Sequence, residues 1–213
     1  MTMKKLELVF IPTPAIGHFV SSVEFAKRLL LRDDRFSASF LVKAAAPHSV
    51  SVFLRPEVLG VKFIESHKFC VKDSIINQVL LPEPVSVVGL VVDTFTISMI
   101  DVATELGFPS YLFNTSGYLN PIPSNVLPSL LFDKDGGGYL CFLNLVRRFK
   151  ETKAIINNSF EELESHAVKT LSELEDYINN KPIFTVGPLL DVLHGRQTQS
   201  SLRSAIRSNM RKL

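Results

Sequence analysis

Between Leu6 and Arg32 the chain changes hydrophobic period across a single turn, and that change constrains the fold more than any other feature. Leu6 to Ile11 is a short apolar run of β-forming residues. Phe19, Val20, Val23, Ala26, Leu29 and Leu30 then fall on one helical stripe that runs to Arg32. Pro12, Pro14 and Gly17 force a sharp turn between them. The turn leaves His18 at the mouth of a sheet, beside a helix N-terminus. Positive charge is disfavoured there, so a histidine in that place is expected to be neutral and able to accept a proton. An isolated histidine is more often a solvated surface ring, so the rest of the chain has to decide between the two.

The alternation continues. Phe36 to Val42 reads as a strand, and Ile64 to Leu80 as a helix with Ile64, Val71, Ile75 and Val79 on one side. Val85 to Val92 is almost wholly apolar and rich in β-branched residues, as in a parallel strand covered on both faces, and it ends at Asp93. Ser98 to Leu106 is helical, with Ser98 and Asp101 in capping-box spacing, Gly107 as the stop and Pro109 beyond it. Ser110 to Phe113, Ala154 to Ile156 and Ile183 to Val186 are short strands. Gly138 to Phe149 and Ser159 to Ile178 are helices. Pro47 to Gly60 leaves little room for the strand and helix a regular series requires, and Asn120 to Asp135 has no periodicity. The pattern predicts an α/β fold, a Rossmann-like parallel sheet flanked by helices. Ligands in such sheets bind beyond the strand C-termini. His18, Asp93 and Thr115 each follow a predicted strand, so they gather on that edge.

Composition removes several function classes. A net charge of +2 over 213 residues gives no electrostatic case for nucleic acid. Cys70 and Cys141 stand in no metal-ligand spacing, which makes a reduced, cytoplasmic setting the default. No run reaches roughly eighteen apolar residues, so neither secretion nor a membrane span is expected. His48, His67, His166 and His194 share no metal spacing either. Gly136 to Gly138 follow no strand and lack the spacing of a nucleotide loop. Residues 191–213 carry Arg196, Arg203, Arg207, Arg211 and Lys212 with no acidic residue after Asp191, and read as a basic, poorly ordered tail.

Several motifs in order carry a resemblance. They are Pro12-Thr13-Pro14-Ala15-Ile16-Gly17-His18-Phe19, Val91-Val92-Asp93-Thr94-Phe95, Thr115-Ser116-Gly117, Ile155-Ile156-Asn157-Asn158-Ser159-Phe160-Glu161-Glu162-Leu163-Glu164 and Thr185-Val186-Gly187-Pro188-Leu189. Together they resemble the N-terminal half of the plant UDP-dependent glycosyltransferases, which attach sugars to flavonoids and other small phenolics. The resemblance implies the acceptor-binding half of a GT-B fold over residues 1–190. It implies inverting transfer from a UDP-sugar co-substrate to a small phenolic acceptor, with no cofactor and no metal. His18 takes the role of general base, and Asp93 that of the group orienting its ring. Gly17 and Thr115 fall at substrate-binding positions, Thr115 near the donor sugar or its phosphate. Taken singly, Asp93 reads as a strand-end turn residue and Thr115 as a turn hydroxyl.

Two departures matter: the junctions near Gly60 and Asn120, where the family's acceptor-pocket loops sit, are shorter here, and the donor box is missing. The family's UDP-sugar box, in a second domain, opens on a tryptophan, and this chain has none. The UDP-sugar-binding domain is therefore expected to be absent, and the chain alone to transfer no sugar. The alternative is a module that binds an acceptor without catalysis.

Overall fold

The computed structural model describes residues 4–43, 61–66, 71–82, 85–115, 129–135, 137–159, 169, 179, 181–187 and 189. β1 (Leu6–Ile11) leads through the proline turn into α1 (Ile16–Arg32) and then β2 (Phe36–Lys43). β3 (Val61–Ser66) precedes α2 (Val71–Ile75), which runs on as a π-helical turn, Ile76–Leu80. β4 (Ser86–Asp93) passes directly into a 3₁₀ segment, Thr94–Met99, and α3 (Ile100–Glu105). After β5 (Ser110–Asn114) come a 3₁₀ turn, Ser129–Phe132, then α4 (Gly138–Arg147) and a closing 3₁₀ turn, Arg148–Glu151. β6 (Ala154–Asn157) and β7 (Ile183–Thr185) complete the order.

The strands form one parallel sheet, ordered β3-β2-β1-β4-β5-β6-β7. The order runs outward from β1 to β3, then returns to place β4 on the other side of β1. The gap between the C-terminal ends of β1 and β4 is thus the topological switch point, where open α/β sheets hold their ligands.

Both faces of the sheet are covered, which is why its central strands β1 and β4 are mostly apolar. Phe19, Ser22, Val23 and Ala26 of α1 are buried at helical spacing. Phe19, Val23 and Ala26 pack on Leu8, Phe10, Ala38 and Phe40. Phe10 stacks on Phe40 with ring centroids 4.6 Å apart, and Phe25 on Phe113 at 5.2 Å. Such pairs contribute about 0.5–1.5 kcal/mol beyond the area they bury. On the opposite face Val9, Ile11, Leu41 and Leu90 meet Ile75, Val79 and Ala103. Gly107 ends the helical run at a φ of 73°, a conformation that favours glycine.

Three expectations from the sequence change. The predicted helix from Ile64 is a strand as far as Ser66, and helix begins only at Val71. Among the described residues β3 is an edge strand that pairs with β2 alone, and it lacks the long apolar run of a central strand. The seven-residue step from Ile64 to Val71 imitates a helical period. The capping box lies at Asp93 and Thr96 rather than at Ser98 and Asp101, because the helical segment starts directly at the end of β4. α1 begins at Ile16, so His18 lies within its first turn. The stretch from Pro47 to Gly60, most of the predicted helix from Ser159 to Ile178, and the tail 191–213 lie outside the described residues.

The segment after β7 crosses the turn after β6 at very close range. A Cβ on Gly187 would lie 2.6 Å from Ser159 N and 2.7 Å from Asn158 C, both backbone atoms. Gly187→Ala is expected to destabilise the chain by about 1–3 kcal/mol, read as a lower denaturant midpoint at unchanged slope. An unchanged midpoint would show that the segment lifts off freely.

Candidate active site

The site is assembled where β1 and β4 end side by side. Pro12 and Pro14 supply no backbone N–H and hold the chain extended, and the Ala15 amide turns back to the Thr13 carbonyl at 2.7 Å. The helix then starts with Ala15 as an extended N-cap that contributes no side-chain hydrogen bond. His18 projects from this first turn, and Ser22 Oγ donates to its carbonyl at 2.8 Å.

Asp93, the last residue of β4, is 2% exposed and held from several directions. Its Oδ1 accepts from Thr13 Oγ1 at 2.7 Å and from the Phe95 amide at 3.2 Å. Its Oδ2 lies 2.8 Å from His18 Nδ1. Thr96 completes the reciprocal cap: its Oγ1 accepts from the Asp93 amide at 2.9 Å and donates to the Ile11 carbonyl at 2.6 Å. Thr13 and Thr96 therefore tie the end of β1 to the end of β4 through their side chains.

With the carboxylate as acceptor, His18 Nδ1 carries the shared hydrogen. Thr115 Oγ1 is 2.7 Å from the same nitrogen, so it is a second acceptor for that hydrogen. Nε2 takes no hydrogen bond from any described residue, and the ring keeps 21% of its side-chain surface exposed. The edge of Phe95 meets the imidazole with ring centroids 5.8 Å apart, and Phe95 itself is 55% exposed.

The Asp93 hydrogen bond raises the His18 pKa above its ordinary value of 6.5; burial lowers it, and the negative charge of Asp93 adds to the rise. The helix N-terminus alone argues for a neutral ring. The carboxylate outweighs it because charge-assisted hydrogen bonds at this distance are strong and the helix effect is modest.

His18, Asp93 and Thr115 are thus brought into one hydrogen-bonded group. Gly17 lies beside His18 on the first turn of α1, and a Cβ there would meet no described residue within 4 Å. Thr13 and Phe95 join the group as well, although neither carries a clear signal in the sequence. Thr13 is a strand-exit hydroxyl whose partner lies 80 residues away, and Phe95 is an exposed aromatic two residues beyond a strand-end acid. Among the described residues no cluster of three or more His, Cys, Asp or Glu residues is placed to hold a metal, and no helix is long and apolar enough to cross a membrane.

No family model matches the chain. Curated relatives do. The chain is 33% identical to "UDP-glucose flavonoid 3-O-glucosyltransferase 6" of Fragaria ananassa, over 98% of its own length and 56% of the relative's. It is 34% identical to "UDP-glycosyltransferase 71K1" of Malus domestica, over 99% and 56%. Among solved structures it is similar to Medicago truncatula UGT71G1 complexed with UDP-glucose, at 32% identity and a TM-score of 0.70, over 88% of this chain and 52% of that one. The chain spans about half the length of the relatives it matches.

In an NMR titration the His18 ring is expected to titrate above 6.5. Asp93→Asn should bring its midpoint down to or below that value, because burial then acts unopposed by the carboxylate. The sign carries over to stability. A raised folded-state pKa gives a contribution that is complete below pH 6.5 and is lost as pH rises through the folded value. Denaturant midpoints should therefore fall across that window more in the unsubstituted chain than in Asp93→Asn. Equal pH dependence in the two would contradict the pairing.

Proposed function

This chain belongs to the plant UDP-glycosyltransferases, corresponding to their N-terminal half, and from that premise we propose that it supplies the acceptor side and the general base of a hexosyl transfer. The observation that carries the reading is the His18 ring, bonded at Nδ1 to Asp93, with Nε2 taking no hydrogen bond from any described residue. A ring held in this way is a proton acceptor with a fixed direction.

The chemistry follows from that atom. An acceptor hydroxyl placed at Nε2 gives up its proton to the ring while its oxygen attacks the anomeric carbon of the UDP-sugar. The bond from that carbon to the UDP phosphate oxygen breaks on the opposite face, and UDP carries the electron pair away. The result is a single inverting displacement. Asp93 stabilises the imidazolium as it forms, by the same hydrogen bond and charge that raise the resting pKa. Phe95 offers an exposed ring beside the imidazole, which suits a flat phenolic acceptor, and no described residue crowds Gly17 at the other flank. Nothing in this scheme calls on a metal or a cofactor. We assign uridine and diphosphate recognition to the part of the relatives that this chain does not span.

The test is a chimera joining this chain to the remaining half of a relative such as UDP-glycosyltransferase 71K1, assayed with UDP-glucose and a panel of flavonols. His18→Ala is expected to lower kcat/KM by about a hundred- to ten-thousandfold, the usual contribution of a positioned base. Asp93→Asn should cost less, because the imidazole survives. The rate should rise with pH through the midpoint of His18, since only the deprotonated ring accepts. Unchanged turnover in His18→Ala would remove the histidine from the reaction.

A further inference from the structure

The turn after β6 carries a side chain that reaches the site from behind. Asn158 Nδ2 donates to the Thr115 carbonyl at 3.1 Å, and Asn158 Oδ1 accepts from the Leu189 amide at 2.8 Å. The Asn158 backbone amide donates to the Asn114 carbonyl at 2.9 Å. Its neighbour Asn157 is fully buried and accepts from Asn114 Nδ2 at 3.1 Å. Across this turn lies the segment that follows β7. The Val186 amide donates to the Asn157 carbonyl and the Gly187 amide to the Ser159 carbonyl, each at 2.9 Å. Gly187 comes so near that a Cβ on it would sit 2.7 Å from Asn158 Oδ1. Leu189, 5% exposed, pins the segment into the cluster of Phe10 and Phe19. The oxygen end of the Asn158 amide is therefore fixed by buried chain, and its nitrogen end fixes Thr115.

That matters because of what Thr115 does. One hydrogen bond from Nδ1 to Asp93 leaves the imidazole some torsional freedom about its two side-chain bonds. A second acceptor on the same hydrogen, Thr115 Oγ1 at 2.7 Å, removes that freedom and sets where Nε2 points. Thr115 directly follows β5, outside its ladder, so its hydroxyl stays at that height only if its backbone is held.

We propose that Asn158 is a positioning residue for the histidine: its side-chain amide holds the Thr115 carbonyl and thereby seats the Thr115 hydroxyl on His18 Nδ1. The catalytic meaning of this relay rests on the reading of His18 as the base. The relay itself is a property of the resting chain and is testable without turnover.

The experiment is an NMR pH titration of the full chain labelled with nitrogen-15 in its histidine and asparagine side chains. Thr115→Val should lower the His18 midpoint by about half a pH unit, since an oxygen accepting from the ring N–H favours the charged ring. Asn158→Ala should lower it in the same direction and by a similar amount. The double variant should fall no further than Thr115→Val alone, because both act through one contact. Two results would overturn the proposal: Asn158→Ala leaving the midpoint unmoved while lowering the melting temperature, or additive shifts in the double variant. If Asn158→Ala does not fold, the unsubstituted chain still decides. The Asn158 side-chain amide should follow the His18 titration there and lose that response in Thr115→Val, with Asn144 as an indifferent control. An Asn158 amide unmoved through the midpoint contradicts the relay. None of these readouts needs sugar transfer, so their failure leaves a loss of turnover in His18→Ala intact, and the reverse also holds.

Discussion

Everything at the functional edge of this sheet turns on one buried carboxylate. Asp93 is nearly free of solvent, and a buried charge is tolerated only where hydrogen bonds replace its water. Here the replacements come from separate pieces of chain: the strand exit at Thr13, the 3₁₀ turn at Phe95 and the first turn of α1 at His18. The need to solvate the carboxylate thus joins elements that share no local sequence. The histidine is one of those solvating groups, and its orientation follows from that requirement.

The topology makes the meeting possible. Because β4 returns to the far side of β1, the strand ends that carry Asp93 and lead to His18 are direct neighbours. β5 and β6 extend the same edge outward, which brings Thr115 and then Asn158 into line behind the ring. The packing beneath is dense and apolar on both faces, so this row of polar side chains rests on a rigid base. Preorganisation of this kind is what the proposed proton-accepting role of the ring requires, because misplacement by about an ångström lowers rates steeply.

Much of this was legible in the chain itself. β4 announces itself by a nearly unbroken apolar run rich in valine, and α1 by its apolar stripe. The strand-end positions of His18, Asp93 and Thr115 already placed them on one edge. What escaped has physical reasons. β3 pairs on one side only and has no long apolar run to mark it. The capping box at Asp93 and Thr96 was hidden because its first residue also ends a strand, and its closing residue is a threonine rather than the glutamate or glutamine that usually flags the motif. The raised pKa of His18 could not be read from a helix N-terminus, since the deciding partner is 75 residues away. Asn158 gave a weak signal, one more polar residue after a strand, and only its contacts on both sides distinguish it from a turn residue.

Asp93 and Thr115 fix the hydrogen on Nδ1, which leaves Nε2 of the neutral His18 ring unprotonated and without a partner among the described residues. The nitrogen-15 shifts of the neutral ring test this directly, since a protonated and a bare ring nitrogen resonate far apart. With the chain held well above the His18 midpoint, Nδ1 should carry the hydrogen and Nε2 should show the shift of an unprotonated nitrogen. A neutral ring protonated at Nε2 would contradict the account, because that tautomer has no acceptor lone pair to offer a substrate hydroxyl.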